Sequence, residues 1–433
     1  MIKLITSVHG MHDCLFPNTI LWKNVENIIQ DTLNNYGYQE IKLPILEKSE
    51  LFKKTIGEYT DIIEKEMYTL FDKNNNSLTL RPEGTAGFIR AIIEHNIFYN
   101  NRRFWYNGPM FRYERPQKGR YRQFNQIGIE ILGLASPYID AEVIIVVNNI
   151  WKKLNIINNV FLEINSIGSL TDRQKYIKQL ILFWEKNYLY LDLNDRKKIY
   201  TNPLRILDNY KYKNIKLLKY APKLQDFLNK ESINKFNEFC DILNFMNIKF
   251  NINNYLVRGL DYYNDIVFEW KSYDIGSKNI SKTICGGGRY DKLINNMSNG
   301  KNINGLGCAI GMERLLLLVQ INKSLKSNIN YLIDVFLIPM ESDNSLKKIL
   351  IIGELIRKKF PKLRIITSYL FQKIKKQIIQ ANKYKARFIL IIGPNEIKNN
   401  LIILKDLYFR KQIVISENQL ILNLEKYFSK YLF

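Results

Sequence analysis

The chain is poor in the residues that bind metals and cross-link proteins. Its four cysteines, Cys14, Cys240, Cys285 and Cys308, are scattered, with no CxxC pair and no cysteine–histidine cluster. Neither a disulfide framework nor a zinc site is indicated. The three histidines, His9, His12 and His95, are too few and too dispersed for a histidine-ligand site. No run of about 18 apolar residues occurs, so no transmembrane helix is predicted and no membrane partner is expected. The N-terminal MIKLITSVHGMHD has no apolar core of the signal-peptide kind, which makes the cytoplasm the default location. Acidic residues are in deficit: 41 against 64 Lys and Arg, a formal charge of +23. Such a charge fits a nucleic-acid partner. It equally fits a drift of composition, because Lys, Asn, Ile and Tyr recur throughout, as in NYKYKNIKLLKYAPK.

What is present is a globular chain with 46% apolar residues, too long at 433 residues for one ordinary core. Two or three domains are expected. Residues 19–36 have the apolar spacing of an amphipathic helix that Gly37 stops, and IKLP reads as a short strand after it. Strands are expected at 78–81, 103–113 and 121–134, and helices at 84–95 and 138–154. From about 170 to 245 the pattern is helical and polar without a chemical motif, which reads as an inserted helical region. Strand-like segments return at 255–258 and 263–271, and a glycine-rich strand at 305–311 runs into a helix at 312–322. SLKSNIN (324–330) reads as a linker. Beyond it, strands at 332–339, 363–367, 387–393 and 401–406 alternate with helices at 345–359, 371–384 and 418–430, a small α/β domain.

The most informative stretch is FRYERPQKGRYRQFNQIGIEILG, residues 111–133. After its basic turn, Ile127, Ile129 and Ile131 fall on one face of a strand, and Phe124, Gln126, Gly128 and Glu130 on the other. The first face is core. The second reads as the floor of a site for a small polar molecule, with Gly128 leaving room for it to lie against the sheet. Arg112 and Glu114 precede the turn, and Arg115, Lys118, Arg120 and Arg122 crowd it; guanidinium forks suit phosphate, although a solvated basic loop is the simpler meaning.

Four further motifs each admit two meanings. RPEGT (81–85) sets Glu83 at a strand end, to hold an ammonium group or to cap a helix. VRGLDYY (257–263) offers Arg258 as a functional cation or as a structural partner of Asp261 or another acid. CGGGRYD (285–291) allows close backbone approach, or is simply a bulge or tight turn. GLGCAIGMERL (305–315) places Arg314 in the first turn of a helix, a start that favours anions, or marks close helix–strand packing.

The order of these motifs along the chain resembles the class II aminoacyl-tRNA synthetases, and most closely the histidyl-tRNA synthetase family. KLPILEKSELFKKTIGE, LTLRPEGTAG, GPMFRYERPQKGRYRQF, LVRGLDYY and GGGRYD all fit, and the last two are specific to that family. The resemblance implies an α+β fold: an antiparallel sheet flanked by helices, with a helical insertion at about 170–250. It places a catalytic domain at 1–325 and a C-terminal α/β anticodon-binding domain at 331–433. It further implies a homodimer built on the segment ending at Pro44, ATP and L-histidine as substrates, Mg2+ on the outer phosphates, and tRNA(His) as partner.

Residue by residue, the resemblance assigns Arg112 and Arg258 to the α-phosphate as the catalytic pair. Phe124 and Arg314 would sandwich the adenine, and Glu114 and Arg120 contact the nucleotide. Glu83, Thr85 and Gln126 would hold the α-amino group of histidine, Glu130 and Tyr263 its ring nitrogens, with Tyr290 lining the pocket. Asn125 stands where many relatives carry histidine and should face the core side. A non-catalytic relative, of the kind that regulates a phosphoribosyltransferase, would lack the C-terminal domain and the arginines that this chain keeps.

Overall fold

The computed structural model describes the chain apart from residues 1–3, 58–59, 98–101, 208–216, 261, 274–280, 299–302, 324, 326–332, 341–342, 370–372 and 429–433. The linker expected at 324–330, all but Leu325, and Asp261 as a partner for Arg258 fall outside the described residues. The chain divides into two compact units, Met1–Leu325 and Lys326–Phe433.

The first unit is built on an eight-stranded sheet. Its strands run in the order Gln39–Glu40, Arg103–Phe111, Gln123–Leu132, Gly305–Gly311, Lys282–Arg289, Asn264–Ser272, Phe161–Ser166 and Phe250–Ile252. The five inner pairings are antiparallel; only the two outermost are parallel. Helices Asn18–Asn35, Pro137–Lys153, Lys230–Phe245 and Met312–Asn322 cover one face, and Ile127, Ile129 and Ile131 point into that core as the alternation requires. The other face packs on helix Thr85–Glu94 and on the insertion, whose Tyr176, Leu180, Trp184, Ile199, Leu204 and Ile206 are buried there.

Two expectations need correction, and a third gains detail. Residues 41–44 (IKLP) are not a strand; pairing is confined to Gln39–Glu40 and Leu46–Lys48 on either side. Residues 255–258 are a loop, and the strand lies just before them at Phe250–Ile252. The glycine triple lies inside the central strand Lys282–Arg289, with a bulge-like register shift between Gly288 and Arg289 and close backbone approach at Gly287, where a Cβ would meet the Gly307 carbonyl. Side chains from elsewhere fill the space its glycines leave: a Cβ at Gly286 would lie 2.5 Å from the Arg258 guanidinium.

The second unit is a five-stranded sheet in the order Ile365–Thr367, Ile333–Pro339, Ala386–Ile392, Leu401–Asp406 and Lys411–Ser416. The first three strands are parallel and the last two join antiparallel. Helices Asp343–Lys359, Ile374–Lys383 and Leu420–Phe428 pack on it. Sequence reasoning missed Lys411–Ser416, an edge strand of sequence KQIVIS with only Ile415 buried.

Candidate active site

A cleft of about 380 Å³ opens on the insertion-side face of the first sheet. Arg112, Glu114, Arg120, Phe124, Gln126, Glu83, Thr85, Arg258, Tyr263 and Arg314 all line it. Ten of the twelve residues singled out from the sequence therefore converge on one space. Glu130 and Tyr290 lie beneath its wall and are hydrogen-bonded to each other at 2.6 Å.

The hairpin supplies the floor. Phe124 and Gln126 project into the cleft from the strand that buries the three isoleucines on its other side. The room over Gly128 is not left for a ligand. Tyr106, its register partner on the neighbouring strand, fills it: a Cβ on Gly128 would lie 2.5 Å from Tyr106 Cε1. Gly84 flanks the same ring, its hypothetical Cβ 2.5 Å from the tyrosine oxygen. The Tyr106 hydroxyl in turn reaches Glu130 Oε1 at 3.2 Å, where Thr85 Oγ1 also donates at 2.9 Å. Glu130 thus gathers three hydroxyls in a site 1% exposed, and burial pushes its carboxyl up to about 8 against the pull of Tyr290 and Thr85.

Glu83 caps a helix and lines the cleft as well. Its carboxylate accepts from the backbone N–H groups of Thr85 at 2.7 Å and Ala86 at 2.8 Å, capping helix Thr85–Glu94. It also faces the cleft, and burial raises its carboxyl while those two N–H groups hold it down. Arg81, by contrast, is structural, spent on the carbonyls of Pro109 and Leu43.

Four arginines of the cleft are each held by a partner within the chain. Arg112 Nε donates to the Pro82 carbonyl at 2.8 Å, and its guanidinium stands 5.2 Å from the Phe124 ring centre. Arg314 donates to the carbonyls of Gly119 at 2.9 Å and Thr283 at 2.8 Å, bracing the hairpin turn against a central strand. Arg120 is ion-paired with Glu114. Arg258 is ion-paired with Glu269, which also accepts from Thr283 Oγ1 at 2.8 Å and lies 3.1 Å from Lys271. Burial alone would lower the Arg258 guanidinium; the Glu269 charge outweighs it and the net shift is upward. Burial pushes the Tyr263 phenol up to about 12, so it stays a donor at neutral pH.

Sequence reasoning missed Tyr106, Tyr262, Glu269 and Arg205, all of which line the cleft. Tyr106 could have been found only through its register opposite Gly128, and Arg205 lies in the insertion, where no motif marks it. Asn125 does not itself line the cleft, but its amide nitrogen donates at 3.1 Å to Oε1 of Glu313, which does.

The guanidinium groups lining the cleft suit a polyanion, and the Glu83 carboxylate suits a cation. The family model described as histidyl-tRNA synthetase matches residues 10–315. The chain belongs to the histidyl-tRNA synthetase family. It is 48% identical over 431 residues to the histidine–tRNA ligase of Buchnera aphidicola subsp. Schizaphis graminum, with 99% of each chain covered. Against the histidine–tRNA ligase of Blochmanniella pennsylvanica, identity is 48% over 418 residues, 96% of this chain and 94% of that one. The crystal structure of apo S. aureus histidyl-tRNA synthetase superposes with a TM-score of 0.79 at 32% identity, covering 96% of this chain and 99% of that one. The antiparallel sheet that carries the cleft is thus the fold of the histidyl-tRNA synthetases, and the match runs through every motif singled out above.

Proposed function

We propose that the chain joins L-histidine to the 3′ end of tRNA(His) in two steps at this cleft. The observation that carries the reading is the convergence of Arg112, Arg258 and Arg314 with Glu83 in one space, in a chain near-identical in extent to histidine–tRNA ligases. In the first step a histidine carboxylate oxygen attacks the α-phosphorus of ATP and pyrophosphate leaves. The step asks for positioning and charge neutralisation more than for a protein nucleophile. Arg112 and Arg258 would neutralise the α-phosphate from two sides, each held by its partner within the chain. Phe124 and Arg314 would hold the adenine, with Glu114 and Arg120 on the rest of the nucleotide. In the second step the terminal ribose hydroxyl attacks the acyl carbon and AMP leaves.

Glu83, Thr85 and Gln126 would take the α-amino group. Tyr263 would meet one ring nitrogen from the wall. Glu130 would meet the other once one of its three hydroxyl partners gives way, with Tyr290 holding its second oxygen. A pocket that hydrogen-bonds both ring nitrogens strands buried polar groups when an apolar isostere enters, a discrimination of up to about 10⁴ to 10⁵. Magnesium would travel with the outer phosphates of ATP. Among the described residues no group of three or more His, Cys, Asp or Glu could hold a metal.

Arg115, Lys118 and Arg122 in the hairpin turn would meet the acceptor end of the tRNA. Residues 331–433 would read the anticodon, a single-stranded loop, with the lysines of helix Ile374–Lys383 on its backbone. We assign the protein to the cytoplasm as a twofold dimer. Ile45, Leu46, Leu70 and Phe71, on and beside a three-stranded sheet of Leu46–Lys48, Ser77–Leu80 and Tyr68–Phe71 next to Pro44, are exposed in the single chain and would be covered in it. Charging of a tRNA(His) transcript with labelled histidine tests the whole reading: the chain should charge that transcript and leave a non-cognate one uncharged.

A further inference from the structure

The cleft has a fifth arginine, Arg205, and it comes from the helical insertion. The short helix Leu204–Leu207 is anchored by buried Leu204, Ile206 and Leu207, and Trp184 Nε1 donates to the Pro203 carbonyl at 3.2 Å just before it. That anchoring directs Arg205 toward the loop that carries Arg258 and Tyr263. Its Nη2 donates to the Gly259 carbonyl at 3.4 Å and lies 3.9 Å from Asp61 Oδ2. Gly259 eases this approach: a Cβ there would lie 3.2 Å from Arg205 Nη2, a tight contact. On the other side of the loop the Arg258 guanidinium is fixed by Glu269. The backbone of the catalytic loop is therefore held from the insertion at Gly259, one residue away from a side chain held from the sheet.

We propose that Arg205 is a positioning residue for adenylate formation: by holding the Gly259 carbonyl it sets Arg258 against the α-phosphate, so the insertion is an integral part of the active site. This rests on the function proposed above. The insertion then does more than extend the molecule, because Leu204–Leu207 carries the side chain that holds the loop bearing Arg258. A misplacement of about 1 Å in such a group costs on the order of 10²-fold in rate.

The test is histidine-dependent ATP–pyrophosphate exchange by the full chain and by Arg205→Ala, Arg205→Lys, Arg258→Ala and the Arg205→Ala/Arg258→Ala double variant, each with a thermal melt. An inactive wild-type chain would overturn the proposed function itself. With an active wild type, Arg205→Ala should lose about 10- to 100-fold in kcat with KM for histidine nearly unchanged. Arg205→Lys, which can still donate to Gly259, should recover part of the loss. The double variant should be no slower than Arg258→Ala alone, because one residue acts through the other. Wild-type kcat in Arg205→Ala, or losses that multiply in the double variant, would overturn the inference. If Arg205→Ala does not fold, the same comparison is made with Arg205→Lys and its double variant, and multiplying losses overturn the inference there too.

Discussion

Replacing Gly128 with alanine adds one methyl group to the floor strand, and the structure makes that methyl group expensive. It would lie 2.5 Å from Tyr106 Cε1 and nearer still to Cζ. The ring has no retreat, because Gly84 stands within contact of it as well and the ring is only 1% exposed. Overpacking of this kind costs about 1–3 kcal/mol. Tilting the ring away also breaks its 3.2 Å hydrogen bond to Glu130, worth about 1 kcal/mol more. The expected loss is about 2–4 kcal/mol, a large share of the stability of a typical domain. All five tryptophans, Trp22, Trp105, Trp151, Trp184 and Trp270, lie in the first unit, so urea unfolding followed by tryptophan fluorescence reports that unit alone. Tyr106→Ala removes the obstacle, so the double variant should cost less than the sum of the two single ones. A Gly128→Ala chain that loses under about 0.5 kcal/mol would refute the packing argument.

Arg258→Ala should reduce histidine-dependent pyrophosphate exchange by about 10²- to 10³-fold while the first unit stays folded, because Glu269 keeps Lys271 and Thr283. Glu269→Ala should instead strand a buried guanidinium and cost about 3–5 kcal/mol in the same urea experiment. Glu83→Gln should raise the KM for histidine by about 30-fold or more, roughly 2 kcal/mol, in steady-state exchange, with the helix cap largely retained. Glu130 has a folded carboxyl at about 8, above its unfolded value, so folding takes up a proton between the two. Its stabilising contribution is full below the unfolded value and is lost as pH rises toward about 8. Urea midpoints of the wild type should fall over that window, and Glu130→Gln should flatten the slope.

The alternation of Ile127, Ile129 and Ile131 against Phe124, Gln126 and Glu130 was legible in the sequence because strand geometry leaves no other arrangement once one face is core. The meaning of Gly128 was not, since what fills the space depends on the register with Tyr106, a fact of pairing between strands. What the glycines of CGGGRYD make room for was hidden for a related reason. A strand interior seldom lacks side chains, and here the missing volume is taken by Arg258 at Gly286 and by the neighbouring strand at Gly287. Glu130 could be placed on the site face from its parity, but not beneath the wall, because its three hydroxyl partners come from separate segments. Arg205 was invisible for the same reason: it is adjacent to Gly259 only in space.

The central claim is that this cleft activates histidine and no other amino acid. Amino-acid-dependent ATP–pyrophosphate exchange, run without tRNA on the full chain with each of the twenty amino acids, tests it most directly. The account predicts exchange with histidine alone, at least about 10³-fold above any other amino acid. Exchange with a different amino acid, or none with histidine from a demonstrably folded chain, would contradict it.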